Sequence, residues 1–312
     1  MKAVYFGSPE LSAIVLEYVL KAGIEIQAVV TQTDKPKGRG EKMAFSAVKE
    51  VALREGIEVL QPLKMKEPDF LKRIEELNPD VILVAAFGRI IPKVILDLPK
   101  YGCINVHTSL LPKYRGTSPI QAVILKGEEK TGVTIMYMDE GIDTGDIMLS
   151  KEVAIEPTDT GASLHDKLAL MGGPLLIEAL KRIENKRAIR IKQPAECDTY
   201  VQKISKEDGI IDYNAPAIES ERKVRAFNPW PSAFTYLNGK VLKVWKSKVN
   251  SDEGYEDYEN GQCAYVKKDC IGIKTADGIL ELLEVQSEGK KRMDVKAFLN
   301  GNSISEGMKF GE

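Results

Sequence analysis

The stretch CINVHTSLLPKYRG, from Cys103 to Gly116, holds one of only two histidines in the chain. Asn105 stands two residues before His107, where an apolar run ends and a loop begins. Residues two apart on a strand point to the same face. A strand here would set an amide beside an imidazole at its carboxyl end, where open α/β sheets hold their ligands. The plainer alternative is a satisfied polar pair, since buried polar groups are usually just hydrogen-bonded. Two neighbouring features favour chemistry. Leu110-Leu111-Pro112 offers an apolar wall with backbone groups, and DEGIDTGDI carries Asp139, Glu140, Asp143 and Asp146 in a glycine-bracketed turn. A carboxylate from that turn can reach the same sheet edge. Asn, His and Asp, without metal ligands or an activated nucleophile, suit transfer of an already activated acyl group. Such a site needs donors for an oxyanion and a manager of protons.

Other chemistries fit less well. YFGSPE has one glycine where a dinucleotide fingerprint needs three, and no Walker A motif is present. Ser109 is outside any G-x-S-x-G elbow. Cys103, Cys197, Cys263 and Cys270 show no C-x-x-C spacing and no partnering histidines, so buried free thiols are expected and no metal. His165, in the helical run SLHDKLAL, reads as a packing or surface histidine.

The elements that must position these residues alternate between short apolar strands and amphipathic helices over about the first 190 residues. Strands are expected at 2–7, 25–31, 57–61, 80–86 and 102–107, with helices at 9–22, from about Ser46, and at 67–77. Ser8-Pro9-Glu10 reads as an N-cap, a proline at N1 and a first-turn carboxylate. Strands separated by helices imply a parallel sheet covered on both faces. Runs at 133–138 and 147–155 predict a hairpin-like, partly antiparallel addition, and a helix over 162–184 closes this domain. The boundaries read as 1–188 for an N-terminal domain, 189–205 for a linker with little structure of its own, and 206–312 for a C-terminal domain. In the last, turn signals at Asn238-Gly239 and Ala276-Asp277-Gly278 separate short strands, which suggests a small OB-like β-barrel.

At 312 residues the chain suits two domains, and its 43% apolar and 29% charged content is ordinary for a globular protein. The net charge of −2 confines any RNA partner to local basic patches. No apolar run approaches a membrane span, and MKAVYFGSPE runs straight into a strand pattern, so no membrane partner and a cytoplasmic location are expected. No obligate protein partner is evident, and a monomer is expected.

VHTSLLPKYRG together with MDEGIDTGDI resembles the folate-dependent formyltransferase superfamily. VTQTDKPKGRGEK, VAAFGRIIP, KISKEDGIIDY and RAFNPWP extend the likeness end to end to the methionyl-tRNA formyltransferases. The resemblance implies a Rossmann-like N-terminal domain with a mostly parallel sheet and a tRNA-binding C-terminal barrel. It implies 10-formyltetrahydrofolate as formyl donor and the α-amino group of methionyl initiator tRNA as acceptor. It also singles out Asn105, His107 and Asp143 as the catalytic trio. The expected division of labour has the Asn105 amide and a His107 N–H on the oxyanion, while Asp143 orients His107 or a water and helps move the amine proton. Folate walls are expected from Phe87, Gly88 and Ile90, from Ser109, Leu110, Leu111 and Pro112, and from Asp139 and Gly141.

For tRNA, the basic loop offers Lys35, Lys37, Arg39 and Lys42, with Arg39 the best single candidate for entering the acceptor stem. In the C-terminal domain Lys243, Lys246, Lys290, Lys291 and Arg292 are candidates for a basic groove, although the mixed parity of the lysines in KVLKVWKSK spreads them over both strand faces. Solvated surface is the plain alternative for both clusters. Asn228-Pro229-Trp230-Pro231 reads as a rigid packed corner. Phe45 and Ala47 stand where relatives usually carry prolines after the basic loop, and Thr108 follows His107. Two other functions remain open: formylation of another amine, such as an amino-sugar nucleotide or glycinamide ribonucleotide, and a non-catalytic tRNA-binding protein on the same scaffold.

Overall fold

The computed structural model describes residues 1–37, 42–196, 199–252 and 254–311. The chain divides into two compact units. The first comprises Met1–Pro119, Lys130–Ala154 and His165–Gln202, and the second comprises Ile120–Glu129, Ile155–Leu164 and the chain from Lys203.

In chain order the elements begin β1 (Lys2–Gly7), α1 (Glu10–Lys21), β2 (Glu25–Val30), β3 (Lys35–Lys37), β4 (Lys42–Ala44), α2 (Ala47–Arg54) and β5 (Glu58–Leu60). They continue α3 (Pro68–Leu77), β6 (Val81–Ala85), α4 (Lys93–Leu96), β7 (Cys103–His107), α5 (Pro119–Lys126), β8 (Lys130–Tyr137), β9 (Ile147–Ala154) and α6 (Gly161–Glu184). One sheet runs β5-β2-β1-β6-β7-β8-β9. Neighbours from β5 to β7 are parallel, and β8 and β9 add an antiparallel hairpin beside β7. One face packs Val4, Phe6, Ile82, Val84 and Cys103 against Phe70, Ile74 and Leu77 of α3 and Ile95 of α4. On the other face a Cβ on Gly172 would lie 3.0 Å from Val106, and one on Gly173 would lie 2.4 Å from the Tyr18 ring. Those two glycines let α6 approach β7 and α1 closely.

Local chemistry accounts for most boundaries. Ser46 caps α2 by accepting from the Lys49 amide at 3.1 Å. Ser8 does not cap α1, whose N-cap position is Pro9. Its hydroxyl instead accepts from the Gln32 amide at 3.0 Å and from Thr31 Oγ1 at 3.1 Å, tying the end of β1 to the end of β2. The basic loop, read as irregular, forms a short antiparallel pair of β3 and β4 on either side of its tip.

The second unit adds α7 (Ala217–Ala226), β10 (Ala233–Leu237), β11 (Lys240–Asn250), β12 (Cys263–Val266), β13 (Ile271–Lys274), β14 (Ile279–Ser287), β15 (Met293–Asp294) and α8 (Val295–Leu299). Asn238 and Gly239, with φ of 51° and 71°, make the left-handed two-residue turn that joins β10 to β11. The antiparallel order is β10-β11-β14-β13-β12, with β15 on β14. The C-terminal tail pairs with both sheet edges. Phe310 donates to the Gly261 carbonyl beside β12, and Gly311 donates to that of Tyr236 in β10, each near 2.8–2.9 Å. This closes the strands around a core of Leu242, Val244, Ile271, Leu280, Leu282 and Phe310, as a barrel requires.

Candidate active site

In β7 the core face that carries Cys103 turns polar at Asn105 and His107. These two are 9% and 6% exposed, so their polar atoms must find partners. Asp143 supplies one. Asn105 Nδ2 lies 3.4 Å from Asp143 Oδ1, and His107 Nδ1 lies 3.5 Å from Oδ2. The same Oδ2 accepts the Gly116 amide at 2.9 Å. Asp143 has φ of 53°, a left-handed conformation that aspartate tolerates better than most residues, and its side chain keeps 14% of its surface open.

The other ring nitrogen is committed. His107 Nε2 lies 3.0 Å from the Tyr114 carbonyl, which can only accept, so Nε2 carries the proton. In the neutral ring Nδ1 then holds the lone pair, facing Asp143. Tyr114 thus engages the Nε2–H, and the Asn105 amide is a second side-chain donor on the same strand face. Three convergent groups, an amide donor, a ring nitrogen of fixed tautomer and a carboxylate, form a constellation for acyl transfer to an amine.

A family model described as "Formyl transferase" matches residues 1–180, and one described as "Formyl transferase, C-terminal domain" matches residues 203–303. The methionyl-tRNA formyltransferase of Agathobacter rectalis is 49% identical over 310 residues, covering 99% of this chain and 99% of the relative. The chain belongs to the methionyl-tRNA formyltransferase family. Solved structures share the fold. An N-formyltransferase from Helicobacter canadensis, in complex with folinic acid and dTDP-3-aminofucose, matches with a TM-score of 0.67 and 23% identity over 91% of this chain and 99% of that one. HypX from Aquifex aeolicus, in complex with tetrahydrofolic acid, matches with a TM-score of 0.64 and 17% identity over 98% of this chain; the chain spans 50% of HypX.

In this family member the expected wall residues divide by burial. Phe87 turns into the core, edge-on to Phe6 with ring centroids 5.2 Å apart. Ser109 is wholly buried and donates to the Lys113 carbonyl at 2.7 Å, while Leu111 is buried and its amide donates to Thr134 Oγ1 at 3.2 Å. These three back the loops rather than face solvent. Gly88, Ile90, Asp139 and Gly141 are exposed, and Leu110 and Pro112 are half-buried. Of these, Ile90 lines a cleft of about 570 Å³, together with Met65, Lys66, Leu71, Val94, Glu140 and residues 91–93. Its volume suits a drug-sized ligand. Asn105, His107 and Asp143 are not among its lining residues. Asp139 shapes its turn by accepting from the Gly141 amide at 3.0 Å and from Thr144 Oγ1 at 2.6 Å.

Lys35, Lys37 and Lys42 lie on the backbone pair β3–β4, and Arg39 falls outside the described residues. In the barrel, irregular register in β11 changes the parity expectation. Lys243 pairs with Gln286 and Lys246 with Glu284, which sit two apart on β14, so the irregularity at Trp245 returns both lysines to one face. Arg292, paired with Glu284 through two nitrogens, lies 5.0 Å from the Trp245 ring centre, and Lys290 and Lys291 are exposed nearby in the chain. Trp230, expected to be packed, is 52% exposed.

Cys103, Cys263 and Cys270 are free and buried, and Cys197 falls outside the described residues. Burial pushes the Cys103 thiol up to about 12 and that of Cys263 up to about 11, so both are poor nucleophiles. Among the described residues no cluster of three His, Cys, Asp or Glu side chains could hold a metal ion, and no helix is long and apolar enough to cross a membrane. Residue reading missed Gly116, Tyr114 and Gln193, which hold Asp143 and His107, and Arg115, which holds Gln193. Gly116 and Arg115 stand in the quoted YRG run, whereas Gln193 carries no local signal.

Proposed function

We propose that the chain transfers the formyl group of 10-formyltetrahydrofolate to the α-amino group of methionyl initiator tRNA, giving formylmethionyl-tRNA for the start of translation. The observation that carries this reading is the approach of Asp143 to both Asn105 and His107, in a chain matched end to end by a relative of that activity.

The free amine attacks the formyl carbon. An α-amino group titrates near ~8, and an adjacent ester lowers that, so much of it is nucleophilic at neutral pH. Charge develops on the formyl oxygen and is met by the Asn105 amide. His107 Nδ1 takes the proton released by the amine, and Asp143 stabilises the resulting imidazolium. The same proton goes to N10 of the folate as its bond to carbon breaks, leaving tetrahydrofolate and a new amide. Gly88, Ile90, Leu110, Pro112, Asp139 and Gly141 hold the folate, with Phe87, Ser109 and Leu111 supporting them from behind.

Residues 1–188 form the catalytic domain in this reading, 189–205 the connection, and 206–312 the tRNA-binding domain. Lys35, Lys37, Arg39 and Lys42 approach the acceptor stem, and Lys243, Lys246, Lys290, Lys291 and Arg292 meet the phosphate backbone. The decisive experiment supplies pure protein with 10-formyltetrahydrofolate and compares methionyl initiator tRNA, methionyl elongator tRNA, an amino-sugar nucleotide and glycinamide ribonucleotide as acceptors. Preference for the initiator is expected. Formylation of a small amine alone would overturn the reading.

A further inference from the structure

Residues 190–196 and 199–201, nominally a connection, are strapped onto the loops that carry Asp143 and Arg115. Ile191 exchanges two backbone hydrogen bonds with Ile147, at 2.8 and 2.9 Å. Val201 donates to the Arg115 carbonyl at 2.7 Å and accepts from the Thr117 amide at 3.0 Å. Between these anchors, Gln193 Nε2 donates to the carbonyls of Asp143 at 2.9 Å and Gly145 at 2.6 Å. Its Oε1 accepts from Arg115 Nε at 3.1 Å and Nη2 at 2.9 Å. Arg115 is only 4% exposed and also donates to the Pro194 carbonyl at 2.8 Å.

From this geometry we infer that Gln193, oriented by Arg115, is a positioning residue that sets the Asp143 carboxylate against His107 and Asn105. The inference rests on the catalytic reading above and adds a residue to it. Asp143 sits in a left-handed conformation, in a turn tight enough that a Cβ on Gly145 would fall 1.9 Å from the Tyr137 carbonyl. Gln193 grips that turn by two of its own carbonyls. The grip needs a side chain with donors at one corner and an acceptor at the other. Glutamate keeps the length and the link to Arg115 but turns a lone pair toward both carbonyls. Methionine keeps the volume and offers neither donor nor strong acceptor. Either change leaves the trio's own side chains unaltered and loosens the backbone that aims Asp143; methionine also takes the Oε1 acceptor from Arg115. A shift of about 1 Å in a reacting group can cost on the order of 100-fold in rate.

The test measures kcat and both KM values for full-length parent, Gln193→Glu, Gln193→Met, Asp143→Asn and the Gln193→Glu/Asp143→Asn double variant, with melting midpoints to identify folded protein. The methionine variant decides the matter should the glutamate variant unfold. The expected result is a roughly 10- to 100-fold fall in kcat with both KM values within about threefold of the parent. In the Asp143→Asn background the Gln193→Glu penalty should shrink below about threefold, since two residues acting through one contact are not additive. A parental kcat in a folded Gln193 variant, with Asp143→Asn impaired, would overturn the inference and leave the catalytic reading standing. A penalty undiminished in the double variant would do the same. A parental kcat in Asp143→Asn would overturn the catalytic reading and this inference with it.

Discussion

Gly116→Ala tests how the Asp143 carboxylate is held. Gly116 adopts φ of +113°, where L side chains rarely sit, and a Cβ built there would lie 2.1 Å from the Val201 carbonyl oxygen. Alanine therefore adds backbone strain of about 1–3 kcal/mol and must push the strap away. The amide of the same residue donates to Asp143 Oδ2 at 2.9 Å. A hydrogen bond to a charged acceptor contributes roughly 1.5–3 kcal/mol, so its loss corresponds to about 10- to 150-fold in kcat, at 1.4 kcal/mol per factor of ten. The strain should lower the melting midpoint by roughly 2–12 °C, taking about 2–4 °C per kcal/mol for a domain of this size. The assay is formylation of charged initiator tRNA at saturating 10-formyltetrahydrofolate and tRNA, paired with thermal melting. A variant with parental midpoint and kcat would refute the steric argument, and a lowered midpoint with parental kcat would refute the role of the amide's placement.

Asn105→Ala should cost about 100- to 1,000-fold in kcat while folate binding by titration stays near parental, as for removal of an oxyanion donor. Removing Lys290 and Lys291 together should raise KM for tRNA, leave KM for folate unchanged and flatten the plot of log affinity against log salt by about one unit per lost phosphate contact. Glu281 tests the barrel. Desolvation pushes its carboxyl up, but hydrogen bonds from Lys248 and Tyr265 and the charges of Lys248 and Lys267 outweigh this and hold it below its ordinary value. Its contribution to stability is therefore complete above the ordinary carboxylate range and is lost as pH falls through the lowered value. Glu281→Gln should melt below the parent near neutral pH, with the gap closing as the solution is acidified through the lowered value.

Sequence alone determined what short-range physics controls. Strand parity set Asn105 and His107 on one face, Ser46 marked the start of α2, and Asn238-Gly239 set a hairpin, because backbone geometry and capping act over a few residues. The alternation of strands and helices was equally legible, and the quoted motifs carried the family. Tertiary structure decided the rest. Which of Asp139, Glu140, Asp143 and Asp146 meets the imidazole depends on how a loop folds against β7, 36 residues back for Asp143. The Gln193 grip joins residues 48 to 78 apart, with no local trace. Irregular register returned Lys243 and Lys246 to one face, and the tail from Gly307 closed the barrel by pairing with both edges. Hydrogen bonds between distant backbone segments are chosen by the packing of the whole unit, so a local pattern names the groups that can react and only the folded chain selects which of them meet.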